Sequence, residues 1–392
     1  MISVADALAR LLTLVGPVGV ETVPLWQARG RVLAETVTAA RAQPPFPASA
    51  MDGYAVPDTQ VAPGAQFRII GTAAAGHAYQ GRVGTEEAVR ILTGAPVPDG
   101  AHRVIIQEDV SREGDMITVR ENLDEGYHVR PAGGDFQIGD TMEAPRRLSP
   151  SDLALLASMN LANVPVRARP VIALIATGDE LALPGEHLRD DQIVASNSFG
   201  LAAIFEAAGA IPRILPVAKD TVSSLSKALE LSQGADLVVT IGGASVGDHD
   251  IVANAAEKLG LKRDFYKVAM RPGKPLMAGM IGDAAMVGLP GNPVSSMVCG
   301  EIFLKPMINK MLGLSAGARA TRKVILSAPL PANGPREHYM RGLLNHDDGT
   351  VRAFERQDSS LLSVLSRANA LIVRPPGEGP VTIGQPVDVI DL

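Results

Sequence analysis

Val171-Ile172-Ala173-Leu174-Ile175-Ala176-Thr177-Gly178-Asp179-Glu180 decides the fold. Six apolar residues with no polar alternation specify a strand buried on both faces, and the residues after them read as a turn. The same grammar repeats downstream. Ser198 to Ala208 reads as a helix closed by Gly209. Asp220 is expected to cap a helix carrying Leu225, Ala228, Leu229 and Ser232, closed by Gly234. Leu237 to Ile241 is a second wholly apolar strand, Ile251 to Leu259 a further helix, and Phe265 to Ala269 and Ala285 to Leu289 two more strands. Buried strands alternating with helices predict an α/β domain over 169–315, a mostly parallel sheet covered on both faces in three layers.

The flanks read differently. Residues 1–40 look helical, with Val4, Leu8, Leu11 and Leu12 at helical spacing and a second apolar stretch from Val32 to Ala40. Ser149-Pro150-Ser151-Asp152 opens a helix bearing Leu153, Leu156 and Ala157. Packing of that helix on the N-terminal ones would make 1–40 with 141–168 a discontinuous domain. Between them, 41–140 reads as a β-rich insertion with strands at Phe67 to Ile70, Ala88 to Leu92, Val104 to Gln107 and Met116 to Val119. Residues 316–392 return to period two at Val324 to Leu326, His338 to Leu343, Val351 to Phe354, Leu371 to Arg374 and Val387 to Ile390, a small barrel-like β domain.

Composition narrows the function. The 392 residues are 46% hydrophobic, enough for several cores, and only 4% aromatic, which disfavours a surface of stacked rings for nucleic acid. A net charge of −6 leaves no global basic field for nucleic acid or an anionic membrane. The one cysteine, Cys299, cannot form an internal disulfide and fits a reducing cytoplasm. No leader-like segment or membrane-length apolar run is evident.

Four motifs carry chemistry. Gly242-Gly243-Ala244-Ser245-Val246-Gly247-Asp248-His249-Asp250 leads from a strand towards a helix. Its glycines would let backbone amides reach a phosphate, and Asp250 could hold Mg²⁺ beside it; a tight turn with Asp250 as an N-cap accounts for it equally well. Lys258 to Pro275 holds six cations against Asp264. Within it, Arg271-Pro272-Gly273-Lys274-Pro275 puts two cations on a stiff loop suited to an anion rather than on a solvated face. Pro290-Gly291-Asn292-Pro293-Val294-Ser295 offers open amides and a hydroxyl, or a simple turn. Thr177-Gly178-Asp179-Glu180 sets two carboxylates at a strand end. All four follow strands of one sheet, so all four should lie along one edge and bind an anionic, nucleotide-like ligand. The seven histidines show no metal-ligand spacing, and the turn-like segments of the insertion carry no chemistry of their own.

Together with Ser49-Ala50-Met51-Asp52-Gly53-Tyr54-Ala55 and Leu92 to Gly100, these segments resemble, in order and over nearly the whole chain, the molybdenum insertases (molybdopterin molybdenumtransferases), the family that includes the gephyrin E domain. The resemblance implies four domains in an elongated homodimer. It implies insertion of molybdate into adenylylated molybdopterin, with Mg²⁺ assisting and release of AMP and molybdenum cofactor. By the family pattern Arg271, Lys274, Ser295, Arg341 and a serine of Ser359 to Ser363 (Ser360 or Ser363) hold molybdate. Thr177, Gly178, Gly242, Gly243, Ser245, Gly247, Pro290, Gly291 and Asn292 hold the nucleotide. Asp250, Glu180 and Asp220 hold the metal. Lys267 lines the cleft, and Asp52, Thr93 and Asp135 reach the active site from the dimer partner. Arg271 stands where the family often has Lys, and Gly134 replaces a common Glu beside Asp135. The resemblance also makes other cofactor-synthesis proteins and molybdoenzymes candidate partners. Two rivals remain: an adenylyltransferase acting on molybdopterin, which the α/β domain alone resembles, and a non-catalytic cofactor carrier.

Overall fold

The structure, a computed structural model, describes residues 1–59, 61–243, 256–258 and 260–392. A six-stranded sheet runs in the order Ile211–Ile214, Val171–Ala176, Leu237–Ile241, Ala284–Leu289, Met277–Ile281, Lys262–Tyr266. Only Met277–Ile281 opposes the rest, so the other five strands point one way and their C-terminal ends share one edge. Every residue of Leu237–Ile241 is buried, as an all-apolar run requires. The strand expected at Phe265 to Ala269 ends earlier, at Tyr266. Its partner Met277–Ile281 is not announced by the apolar pattern, because Gly279 interrupts it; a Cβ there would lie 2.3 Å from the Lys262 carbonyl oxygen.

Asn197–Ala208 packs on the sheet and ends at Gly209, whose φ of 101° is the left-handed closure that glycine permits. Thr221, not Asp220, caps Val222–Leu231, its hydroxyl accepting from the Ser224 amide. Asp220 is thereby left free of the helix end. The helix expected over Ile251 to Leu259 lies mostly outside the described residues, as do Ser245, Gly247 and Asp250; residues 256–258 are helical.

Residues 1–40 are not a helical segment. Their one α-helix, Val4–Thr13, buries Val4, Ala7, Leu8 and Leu11 in the α/β core beside Met307 and Met311, and Leu25–Gln27 forms a 3-10 turn. Val20–Pro24, Val32–Leu33 and Val37–Thr38 are strands, as their β-branched valines prefer. They pair with Asn163–Arg167, Arg146–Arg147 and Thr141–Met142. Pro150–Ser158 starts in a capping box: Ser149 accepts from the Asp152 amide while Asp152 accepts from the Ser149 amide. Its Leu156 packs against Val23, Leu33, Val164 and Val166, so this helix sits on the strands and not on the N-terminal helix.

Within 41–140 a second six-stranded sheet holds Gln66–Ala73, Glu87–Ile91, Arg103–Ile106 and Met116–Val119. The stretch read as a turn around Asp52 instead supplies the strands Ala48–Ser49 and Gly53–Val56. Gly53 allows the sheet to close, since a Cβ would fall 2.0 Å from the Ile105 carbonyl oxygen. At the C-terminus, Glu337–Asn345, Thr350–Ala353, Arg322–Leu326, Pro386–Asp391 and Ala370–Arg374 pair in that order, and the last pairs back to the first, closing a five-stranded barrel. Among the described residues no helix is long and apolar enough to cross a membrane.

Removing the Ser149 hydroxyl takes away one half of the capping box. Ser149→Ala should lower stability by about 1 kcal/mol, read as a shift of the urea midpoint by circular dichroism.

Candidate active site

The shared sheet edge opens into a cleft of ≈ 660 Å³. Thr177, Gly178 and Glu180 line it after one strand, Gly242 and Gly243 after the next, and Pro290, Gly291 and Asn292 after the third. Backbone bonds lace the three turns together: Thr177 N–H to the Ile241 carbonyl at 2.9 Å, Gly242 N–H to Leu289 at 3.0 Å and Gly178 N–H to Ala218 at 3.1 Å. Gly242 has φ 94°, and a Cβ there would meet the Thr177 carbonyl oxygen at 2.6 Å. Asn197, which sequence reasoning passed over, donates from Nδ2 to the Gly291 carbonyl at 2.7 Å and fixes the third turn. Leu181, Ile193 and Val194 give the mouth an apolar wall.

Asp220 and Glu180 both line this cleft. Burial, then repulsion from Asp179 and Glu180, raises the Asp220 carboxyl above its ordinary range. Hard oxygen donors carrying excess negative charge fit a divalent cation such as Mg²⁺. Among the described residues, however, no three His, Cys, Asp or Glu side chains are grouped to ligate one, so a full set would need a donor such as Asp250 from outside them.

The cation loop lies at the same edge, because it joins the end of Lys262–Tyr266 to the start of Met277–Ile281. Met270–Arg271 leaves the α/β sheet and pairs in parallel with the barrel strand Glu337–Asn345, placing Arg271 opposite His338. Gly273, at φ 110°, packs so closely that a Cβ would meet Cys299 Sγ at 2.7 Å. The thiol is wholly buried and held protonated, which makes Cys299 a packing residue. Lys274 is exposed, and Lys267 lies over the Tyr266 ring at 5.1 Å without lining the cleft.

A barrel loop completes this end. The Val294 amide donates to the Ser359 carbonyl at 3.0 Å, seating the loop on the helix start that carries buried Ser295. Asp358 accepts from the Ser360 amide at 2.8 Å and hydroxyl at 2.6 Å, and Ser360 lines the cleft. Gln357 brackets the Arg341 backbone, accepting from its N–H and donating to its carbonyl, both at 3.0 Å. The Arg341 side chain has no solvent exposure. Its Nη2 donates to the Asp358 carbonyl at 3.0 Å, while Nε and Nη1 are buried with no partner among the described residues. Burial, with Arg271 nearby, lowers its pKa to about 10. His338 is also buried with an unpartnered Nε2. Burial first, then Arg271, Arg341, Arg374 and Arg336, depress its pKa to about 4.

Not every expected residue is gathered here. Ser363 sits exposed on the short helix Leu362–Leu365, away from the cleft. Asp52 and Thr93 do find each other: Asp52 Oδ1 accepts from the Thr93 amide and hydroxyl, both at 2.7 Å, which lowers the Asp52 carboxyl. Neither they nor Asp135 line the cleft of their own chain.

Three family models match in register with this architecture: the MoeA N-terminal region (domain I and II) over residues 2–160, a probable molybdopterin binding domain over 173–310, and the MoeA C-terminal region (domain IV) over 323–392. The chain belongs to the MoeA family of molybdopterin molybdenumtransferases. It is 36% identical over 383 residues to molybdopterin molybdenumtransferase 2 of Mycobacterium tuberculosis, covering 95% of each chain. It is 34% identical to the molybdopterin molybdenumtransferase of a Nostoc species, covering 95% of this chain and 88% of that one. The crystal structure of a molybdopterin biosynthesis MoeA protein from Pyrococcus horikoshii superposes with a TM-score of 0.86 at 28% identity over 100% of both chains. Of the four motifs of the MoeA-type α/β sheet, the described residues (Thr177–Glu180, Gly242–Gly243, Arg271–Pro275 and Pro290–Ser295) follow the C-terminal ends of strands along one edge.

Neutral His338 makes the fold acid-sensitive. The folded ring titrates near 4 and the unfolded one near 6.5, so between these values the unfolded chain binds the extra proton. Stability is therefore full above 6.5 and falls as pH drops towards 4. His338→Gln should lose on the order of 2 kcal/mol less than the parent between pH 7 and 4, measured by urea unfolding at both pH values.

Proposed function

We propose that molybdate binds between the α/β domain and the barrel, held by Arg271, Lys274, Arg341, Ser295 and Ser360. The chain is a transferase of molybdenum cofactor synthesis that inserts molybdate into molybdopterin. The observation that supports this position is Arg341, a wholly buried guanidinium with two unpaired donors. Each buried unsatisfied donor costs about 1–3 kcal/mol, so the protein carries a penalty that an anion relieves. A tetrahedral dianion can accept from both donors and from the serine hydroxyls.

In this reading the glycine-edged cleft next to that point holds the adenylylated pterin. Backbone amides of the 177–178, 242–243 and 290–292 turns face its phosphates, and the apolar wall of Leu181, Ile193 and Val194 flanks the rings. Glu180 and Asp220, with Asp250, would hold Mg²⁺, which when bound neutralises phosphate charge as AMP departs. AMP leaves by hydrolysis: a water oxygen bonds to phosphorus, the phosphoanhydride P–O bond breaks, and the water's proton goes to solvent. At molybdenum, two molybdenum–sulfur bonds form, one molybdenum–oxygen bond breaks, and the oxo group leaves as water with the two thiol protons. The side chains supply positioning and charge and no nucleophile. The adenylyltransferase reading accounts only for the α/β domain and leaves Arg341 without a purpose.

We also read the protein as a cytoplasmic homodimer in which Asp52, Thr93 and Asp135 of one subunit complete the partner's site. The resemblance of their segments to the family pattern supports it, and the Asp52–Thr93 pair is preformed.

Arg341→Met replaces an unpaired buried charge by an apolar chain of similar length. It should raise the melting temperature and weaken molybdate binding at least about thirtyfold, read by thermal unfolding and calorimetry. Mixing Asp52→Ala with Lys274→Ala protein after joint refolding should restore about a quarter of parental turnover, because half the dimers are mixed and each has one intact site. No recovery would place Asp52 in its own subunit's site, and full turnover of Asp52→Ala alone would place it outside catalysis.

A further inference from the structure

We propose that His338 is a further ligand of the bound oxyanion, taking up a proton from solvent as the anion enters and donating an N–H to it. The proposal rests on the reading of Arg271 and Arg341 as oxyanion ligands. The barrel strand puts His338 opposite Arg271 on one side and opposite Arg374 on the other. The residue is 6% exposed, and its Nε2 is enclosed with no partner among the described residues.

The groups around it are cationic. Arg271 comes from the α/β domain, Arg341 and Arg336 from its own strand and the turn before it, and Arg374 from the neighbouring strand. Arg374 is already engaged, with Nε on Glu378, Nη1 on the Pro331 carbonyl and Nη2 on the Gly379 carbonyl. Arg336 Nη1 donates to the Met270 carbonyl. The nearby carboxylates are engaged as well: Glu378 by Arg374, Glu337 by the Tyr339 hydroxyl, Asp358 by Ser360. His338 thus sits between paired Arg271 and Arg374 with two further arginines acting on it, and its Nε2 has no acceptor among the described residues.

A buried imidazole kept only for packing would ordinarily have a partner fixing its tautomer. An anion between Arg271 and Arg341 provides the missing acceptor, and its two charges oppose the arginine field that keeps the ring neutral. Each binding event then takes one proton from solvent, forming only an N–H bond. Oxyanion affinity rises as pH falls, by at most about tenfold per pH unit, the limit for one linked proton.

Calorimetry of the full-length protein with sodium molybdate, in two buffers of different ionisation enthalpy between pH 6 and 8, measures that proton directly. The parent should take up close to one proton at pH 6 and few at pH 8. His338→Gln should take up none and bind about tenfold more weakly at pH 6, with little difference at pH 8. Binding without proton uptake in the parent, or equal uptake in the variant, overturns the role of His338 and leaves the oxyanion pocket standing. Absence of molybdate binding in the parent overturns the pocket itself. Should the variant misfold, histidine NMR of the parent decides: the ring that titrates near 4 without anion must shift up by about three units with molybdate, and a ring that stays below about 5 refutes the proposal.

Discussion

A two-residue parallel pairing between Met270–Arg271 and the barrel strand beginning at Glu337 joins the nucleotide-type sheet to the C-terminal barrel. The cation loop leaves one domain and returns to it, and on the way it becomes an edge strand of the other. Without that ladder Arg271 would sweep through solvent, and Arg341 would face empty space across a domain boundary. With it, positive groups from two folding units are fixed beside one another at a cost in mutual repulsion that only an anion offsets.

The same constraint explains the division of labour along the sheet edge. The glycine turns lie close to one another: at Gly242 an added Cβ would meet the Thr177 carbonyl oxygen at 2.6 Å, and at Gly291 its nearest neighbour is the Gly242 Cα. That crowding suits a ligand recognised by amides. The barrel side is instead furnished with long side chains on a rigid strand, which suits a compact ion recognised by charge. The two substrates of the proposed reaction, a pterin and a small oxyanion, would each meet one of the two kinds of wall.

Much of this was legible in the chain. The apolar runs at Val171–Ala176 and Leu237–Ile241 have no alternative to burial on both faces, and the turns after them inherit a common edge from parallel pairing. The barrel strands also announced themselves through alternation. What stayed hidden depended on tertiary partners. Val20–Pro24 and Val32–Leu33 look like a continuation of the N-terminal helix until their partners near 146–167 arrive from far along the chain. Gly53 looks like a turn glycine, yet it is a close-approach residue within a strand. His338 carries no motif, and its isolation among arginines exists only once three strands are side by side.

Thr38 and Thr141 are paired neighbours where the chain departs for, and comes back from, the β-rich segment between them. A hundred residues therefore lie beyond one short pairing, tied to the flank by the start and end of the segment, where Ala40 bonds to Met159 and Phe136 packs into the flanking core. Such a graft behaves as a cassette: its outline, reach and surface can diverge rapidly among relatives, or be exchanged by recombination, while the remainder of the molecule keeps its register.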